Sequence, residues 1–280
     1  MQTKGLNRNL IDKYYTKDTV VEICFNLIQE HLQIQSNDFI IEPSAGNGSF
    51  IEGIKMISNH YRFYDLEPEH DEIVKQDYLL CRADEIISVK NGVNKISDCR
   101  IHVIGNPPFG RQSSLAIKFI KKSCEFCDTL SFILPKSFKK DSLKKSFPLH
   151  FHLLYEIDLP DKSFLVEGVE HDVPCVFQIW EKKTIHRAVT EKLEPVHFCF
   201  VDKTDNPDIS FRRVGVNAGT IDTKIDEKSV QSHYFIKFTN DKSIEDNLNQ
   251  LATITYDFNN TVGPKSISKQ ELIKEFMKVL

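Results

Sequence analysis

The run Ile104-Gly105-Asn106-Pro107-Pro108-Phe109-Gly110 sets an amide, two successive prolines and an aromatic ring between glycines. The prolines fix the backbone and remove two N–H donors, which leaves the carbonyls near Asn106 and Pro107 free to face a ligand. The Asn106 side-chain oxygen and the Pro107 carbonyl can then accept both protons of a planar amino group, holding its nitrogen with the lone pair toward an electrophile. Phe109 offers a face on which an attached ring can stack. In isolation Asn-Pro-Pro is turn punctuation; at the end of an apolar strand it is a candidate reaction centre.

A second run, Ile40-Ile41-Glu42-Pro43-Ser44-Ala45-Gly46-Asn47-Gly48-Ser49-Phe50, is an apolar strand that ends in an acid and enters a G-x-G turn. Such a turn lets a ligand touch the backbone, although many strand-to-helix turns need glycine for packing alone. The third glycine of a dinucleotide fingerprint is missing and the acidic strand end repels a pyrophosphate. The pattern therefore favours a cofactor without phosphates and with positive charge. Asp65, in Tyr64-Asp65-Leu66-Glu67-Pro68, lies 19 residues beyond Gly46, close to the roughly 20-residue offset at which a carboxylate reaches ribose hydroxyls. Asp77, in Gln76-Asp77-Tyr78-Leu79, follows the expected end of a third strand. It can accept a hydrogen bond from an adenine amino group or cap a turn.

In this order, EPSAGNGSF, DLEP, QDYL and GNPPFG resemble the class I S-adenosylmethionine-dependent amino-methyltransferases, specifically the N6-adenine type with the cofactor motif first and target recognition last. The similarity covers about residues 14 to 182. It implies an α/β fold, a Rossmann-like sandwich with a mostly parallel seven-stranded sheet, with S-adenosyl-L-methionine as cofactor and nucleic acid, DNA before RNA, as the partner methylated at the N6 amine of adenine. By the same resemblance Tyr15 and Thr16 close over the methionine end of the cofactor, with Lys17 standing where relatives usually carry Pro. Glu42, Pro43, Ala45, Gly46 and Gly48 surround the methionine moiety, Asp65 with Leu66 the ribose, and Asp77 with Tyr78 the adenine. Asn106, Pro107, Pro108 and Phe109 match the catalytic tetrapeptide, whose fourth place is often Tyr, and Asn106 is also implied among the cofactor-binding residues. Arg111 and Lys136 border the target site. Val173-Pro174-Cys175-Val176-Phe177-Gln178-Ile179-Trp180 resembles the hairpin strand that supplies a second ring against a base extracted from the stack, with Trp180 the first candidate and Phe177 the second; a buried core aromatic is the alternative. Other readings stay open: an RNA adenine methyltransferase, a protein glutamine methyltransferase, which uses a similar loop, and a subunit that keeps the fold without activity.

The elements that must position these residues follow from periodicity. Val21, Cys24, Phe25, Ile28 and Leu32 recur at helical spacing, which predicts a helix over 16 to 32 capped by Thr16. Short apolar runs at 38 to 43, 61 to 66, 100 to 106, 130 to 135, 152 to 160 and 174 to 180 read as strands, with helices at 48 to 58 and 113 to 127 between them. That rhythm means an α/β sandwich. Beyond residue 183 the character changes to β-like runs and loops, so the chain is expected to divide into a catalytic domain over 1 to 182 and a small recognition or accessory region over 183 to 280, ending in a helix with a capping box from Ser268 to Glu271.

A chain of 280 residues can bury a core without metal or disulfides. Its seven cysteines lack regular spacing and read as reduced thiols; Cys124 and Cys127, without a second pair, are a weak zinc signal. His150, His152 and His171 form no metal or triad pattern, so no metal is expected. No run approaches the ~20 apolar residues of a membrane span, and MQTKGLNRNLIDKYY lacks the apolar core of a signal peptide. A soluble intracellular chain, cytoplasmic or nuclear and away from membranes, is expected; its oligomeric state is open, a monomer being compatible. The net charge of −4 argues against nucleic acid, but residues 111 to 147 hold nine bases and three acids. That +6 stretch begins just after the Asn-Pro-Pro-Phe run. The accessory region is neutral overall, although Arg212, Arg213, Lys265 and Lys269 are available to a phosphate backbone.

Overall fold

The computed structural model describes residues 13–82, 85, 99–189, 191–256 and 265–280. The chain forms two compact units that divide between Ala188 and Val189. Residues just past 183 belong to the first unit because Arg187 ties them there: its guanidinium donates to the carbonyls of Lys144, Phe147, Pro148 and Phe151.

The first unit runs β1 (Tyr15–Thr16), α1 (Asp18–His31), β2 (Phe39–Glu42), α2 (Ile51–Ile57), β3 (His60–Asp65), β4 (Ile73–Lys75), β5 (Ile101–Gly105), α3 (Ser114–Ser123), β6 (Thr129–Pro135), α4 (Asp141–Lys144), β7 (Phe151–Asp158), β8 (Phe164–Val166), β9 (Val169–His171) and β10 (Cys175–Lys182). Seven strands make one sheet in the order β4-β3-β2-β5-β6-β10-β7. β10 lies antiparallel between β6 and β7, and the pairs from β4 to β6 are parallel. This is the mostly parallel seven-stranded sheet expected of a Rossmann-like α/β sandwich. Strands covered on both faces read as continuous apolar runs rather than alternating ones, and every residue of β2, β5 and β6 is buried. Successive side chains nevertheless serve opposite faces. Ile41, Val103 and Phe132 pack with α3, and Ile40, Ile104 and Ile133 pack with α1 and α2.

The expected helix at 16 to 32 starts two residues later than Thr16. Lys17 holds the N-cap position, at φ −65° and ψ 145°, with no side-chain cap. Thr16 is instead paired with Phe164 in an antiparallel ribbon of β1 and β8, because its hydroxyl is engaged elsewhere, as described below.

The candidate rings of β10 are both corrected by the structure. Trp180 is 1% exposed. It stacks on Phe147 with centroids 3.8 Å apart, carries the Arg187 guanidinium 5.5 Å from its ring centre, and donates its indole N–H to Gln178. Phe177 is buried in the cluster on the opposite face. The physical reason is the position of β10 inside the sheet, between two strands and under two layers, so neither ring reaches a ligand.

A buried polar chain crosses the amino ends of the strands, where His102 contacts Asp38 at 3.1 Å and Thr129 at 2.6 Å. Ligands of open α/β sheets bind at the opposite, carboxyl ends, so these groups are structural. Cys124 and Cys127 are buried free thiols. Among the described residues no three potential ligands gather as a metal site, and no helix is long and apolar enough to cross a membrane.

The second unit contains β11 (Phe198–Val201), β12 (Ile209–Arg212), β13 (Ile221–Asp222), β14 (His233–Phe238), α5 (Ile244–Leu251) and α6 (Lys269–Phe276). Its antiparallel sheet has the order β11-β14-β12-β13. Phe198, Ile209, Phe211 and Ile236 meet Leu251, Leu272, Ile273 and Phe276 of the helices in a separate core. Ser268 and Glu271 form the expected capping box of α6.

Removing the indole of Trp180 opens a cavity beside Phe147. Trp180→Ala is expected to lower the free energy of unfolding by about 3–5 kcal/mol, read from urea denaturation; an unchanged midpoint would mean that the ring is not part of the core.

Candidate active site

The strand order reverses between β2 and β5, and in open α/β sheets ligands bind in the crevice outside the carboxyl ends at such a switch point. The loop after β2 lines it. Its two glycines are needed for shape: Gly46 has φ +52° and Gly48 φ +86°. A Cβ on Gly48 would lie 2.7 Å from the Ile51 side chain, and one on Gly46 would lie 3.3 Å from the ring of Tyr15. The loop is sewn down by its backbone, with Ala45 N–H donating to the Tyr64 carbonyl and Gly48 N–H to the Ala45 carbonyl.

Asp65, at the end of β3, accepts the Gly46 N–H on one oxygen and the Glu67 N–H on the other, both at 2.8 Å. An ionised carboxylate offers about four lone-pair sites, so two remain for a ligand. Leu66 beside it is exposed. Asp77 caps the short 3-10 turn at Tyr78–Leu80 by accepting the Leu79 N–H at 2.9 Å, with no hydrogen bond to its other oxygen among the described residues. The Tyr78 ring does not join the crevice. It is buried against Phe119, and its hydroxyl meets Ser123 at 2.8 Å. Only the Tyr78 backbone stays beside Asp77, so a side-chain contact with a cofactor is ruled out.

Glu42 is the electrostatic anomaly of the site. It is 2% exposed, and its Oε2 has no hydrogen-bond partner among the described residues. Burial, aided by the nearby charge of Asp65, pushes its carboxyl well above the usual range. Gly105, with φ +151°, lies against it: a Cβ there would stand 3.2 Å from the Glu42 Cγ. A buried carboxyl with an orphaned oxygen is costly and suits a ligand bearing cationic or N–H donors.

Asn106 follows Gly105 directly. Its Nδ2 donates to the Tyr14 carbonyl and to the Thr16 hydroxyl oxygen, each at 3.2 Å. A backbone carbonyl can only accept, so the amide is oriented: NH2 toward β1 and Oδ1 away from it, with no donor among the described residues. The Asn106 carbonyl accepts the Ser44 hydroxyl at 3.2 Å. Pro107 is buried and Phe109 half-buried against the cluster around α1. The turn beyond is tight: the Phe109 carbonyl accepts the N–H groups of Leu115 and Ala116, and Gly110, Gln112 and Ser113 have φ of +68°, +53° and +61°. Left-handed Gln and Ser are uncommon and cost local strain.

The segment around β1 covers this arrangement. Tyr15 lays its ring on Gly46 and donates its hydroxyl to Glu69, which also binds Lys13 at 2.7 Å. Burial and the Glu69 carboxylate push the Tyr15 phenol up to about 12. Glu69, Ser44 and the Tyr14 carbonyl carry no signal in residue spacing, since each acts through a contact distant in sequence.

The +6 stretch is partly neutralised. Lys136 and Lys139 both bind Asp158, and Lys144 binds Glu156, acids contributed by β7. Lys122 pairs with Glu125. Arg111 is exposed at the loop mouth with no ion-pair partner among the described residues.

No protein-family model and no curated protein matches the chain. Among solved structures, a candidate RNA methyltransferase from Pyrococcus horikoshii is similar at a TM-score of 0.44 and 14% identity, over 64% of this chain and 91% of that one. A candidate class I S-adenosylmethionine-dependent methyltransferase from Listeria monocytogenes gives 0.40 and 15%, over 64% of each chain. The modification subunit of a candidate type I restriction enzyme from Vibrio vulnificus YJ016 gives 0.45 and 11%, over 92% of this chain and 60% of that one.

The raised carboxyl of Glu42 has a sign that can be measured. Unfolded, a glutamate titrates near about 4.3; folded, Glu42 keeps its proton to higher pH. Its contribution is therefore most favourable below about pH 4.3 and is lost as pH rises through the folded value. Relative to the native chain, Glu42→Gln is expected to gain stability steadily from acid to neutral pH in urea titrations; a difference independent of pH would contradict an elevated carboxyl.

Proposed function

We propose that the chain transfers a methyl group from S-adenosyl-L-methionine to the N6 amine of adenine in nucleic acid, with DNA before RNA as the substrate. The observation that carries this reading is the oriented amide of Asn106 beside the orphaned carboxyl of Glu42, the two separated by Gly105 at one crevice. The donor set fits this cofactor: Glu42 suits its cationic methionine end, the remaining lone pairs of Asp65 suit ribose hydroxyls, and the other oxygen of Asp77 suits an adenine amino group. When bound, the cofactor supplies a methyl carbon made electrophilic by its sulfonium.

The residues of the chain orient and desolvate the nucleophile. Asn106 Oδ1 and the Pro107 carbonyl accept the two protons of the target amine, which fixes its lone pair toward the electrophile, and Phe109 stacks on the base. The bound cofactor would supply the methyl carbon to the oriented amine and take up the carbon–sulfur bonding electrons on its sulfur, and the surplus proton on the target nitrogen would depart to water. No strong general base is needed, because the proton is lost after nitrogen has become cationic. The Asn106 contacts to Tyr14 and Thr16 keep the acceptor pointing outward throughout. Trp180 and Phe177 have no part in this scheme; the base is held by Phe109 and by phosphate contacts, with Arg111 the first candidate.

Incubation with methyl-labelled cofactor and duplex DNA, single strands or structured RNA, followed by nuclease digestion, is expected to release labelled N6-methyladenine from DNA. Label on RNA alone would reassign the substrate, and label on protein alone would reject the reading. Asn106→Ala is expected to lower turnover by about 100-fold or more, while cofactor affinity measured by calorimetry changes little; full activity in that variant would refute the assigned role.

A further inference from the structure

The second unit contains a cleft of about 280 Å³ where β11, β14 and the start of α6 meet, lined in part by Phe200, Lys203, Arg213, His233, Tyr234 and Lys269. Its three cations are held by groups that leave their charge intact. Lys203 donates to the carbonyls of Asp226 and Lys228 at 2.8 and 3.0 Å. Arg213 donates from Nε and Nη2 to the Gln231 carbonyl and stands 5.5 Å from the centre of the Tyr234 ring. Lys269 lies 4.4 Å from the centre of Phe200 and 5.8 Å from that of Tyr234.

The described ion pairs of this unit lie elsewhere, at Lys228–Asp222 and Lys278–Glu275. Asp202 is the acid of the lining, so the three cations leave an excess of two positive charges. Burial lowers the pKa of His233, which keeps that ring neutral near pH 7. Solvated surface lysines are mobile and lose side-chain entropy when they bind. Here two carbonyls, one carbonyl with a ring, and two rings already fix the three groups, which lowers that cost. A fixed excess of two positive charges, with one carboxylate against three cations, is complementary to an anion with several oxygens.

We propose that this cleft binds backbone phosphates of the nucleic-acid substrate through Lys203, Arg213 and Lys269, with the aromatic faces of Phe200 and Tyr234 holding the cations in place. The inference rests on the nucleic-acid reading above but not on its adenine chemistry. Counterions released by phosphate contacts make affinity fall with salt, by a slope of about 0.7 per contact on single strands.

The test uses the full chain and a labelled oligothymidylate, which carries phosphates and no adenine, with fluorescence anisotropy across a salt series. Lys269→Gln, which loses no hydrogen bond among the described residues, is expected to reduce the salt slope by about 0.7. The combined Lys203→Gln, Arg213→Gln and Lys269→Gln variant is expected to reduce it by about 2, while Lys269→Arg retains binding. If the triple variant fails to fold in a urea titration, Lys269→Gln decides alone. A salt slope unchanged in Lys269→Gln would overturn the proposal, as would displacement of the oligomer by equimolar inorganic phosphate, which marks a small-anion site. Methyl transfer to nucleic acid with no slope change would reject the cleft and keep the proposed function. A slope change without methyl transfer would support the cleft and reject that function.

Discussion

The parallel pairing of β2 with β5 is the constraint on which the candidate site depends. Phe39, Ile40 and Ile41 align with Ile101, His102 and Val103, so the two strands run out together and Glu42 arrives beside Gly105. A slip of one residue would turn each strand's side chains to the wrong face, separating the buried carboxyl from the backbone that must pass it without a Cβ. The glycine loop hangs from one of those strand ends and the Asn-Pro-Pro-Phe turn from the other, with Asp65 brought alongside by the end of β3.

A second layer of control comes from the short β1 segment. The same stretch that covers Gly46 with the Tyr15 ring also turns the Asn106 amide through the Tyr14 carbonyl and Thr16. The glycine loop and the Asn106 amide are thereby coupled, since displacing β1 would release both. Its attachment combines the β8 ribbon and the Glu69 and Glu170 carboxylates with the buried Thr16, all contacts distant in sequence.

Several elements were legible from sequence because their signals are local. The capping box at Ser268 and Glu271, the G-x-G turn and the strand rhythm each follow from neighbouring residues and appear as expected. Trp180 was not legible. A solitary tryptophan late in a hydrophobic strand reads equally as a ligand platform or a core plug, and the choice depends on whether β10 lies inside the sheet or at its edge. Tyr78 failed for the same reason, its ring being drawn into the core by α3. The charge of residues 111 to 147 sums to +6 along the sequence, whereas in the fold Asp158 and Glu156 arrive from β7 to pair with Lys136, Lys139 and Lys144.

The sequence by itself determined which chemical groups are available and in what order: the acid at the end of one strand, the glycines after it, the amide and prolines at the end of another. Local stereochemistry is enough for that, since glycine and proline restrict the backbone wherever they occur. Only the tertiary structure decided which lone pairs and rings remain for a ligand. Whether Asn106 Oδ1 is left open, whether Glu42 is left unpartnered and whether Lys136 is already paired depend on contacts between residues far apart in the chain, and burial and charge are set by those neighbours.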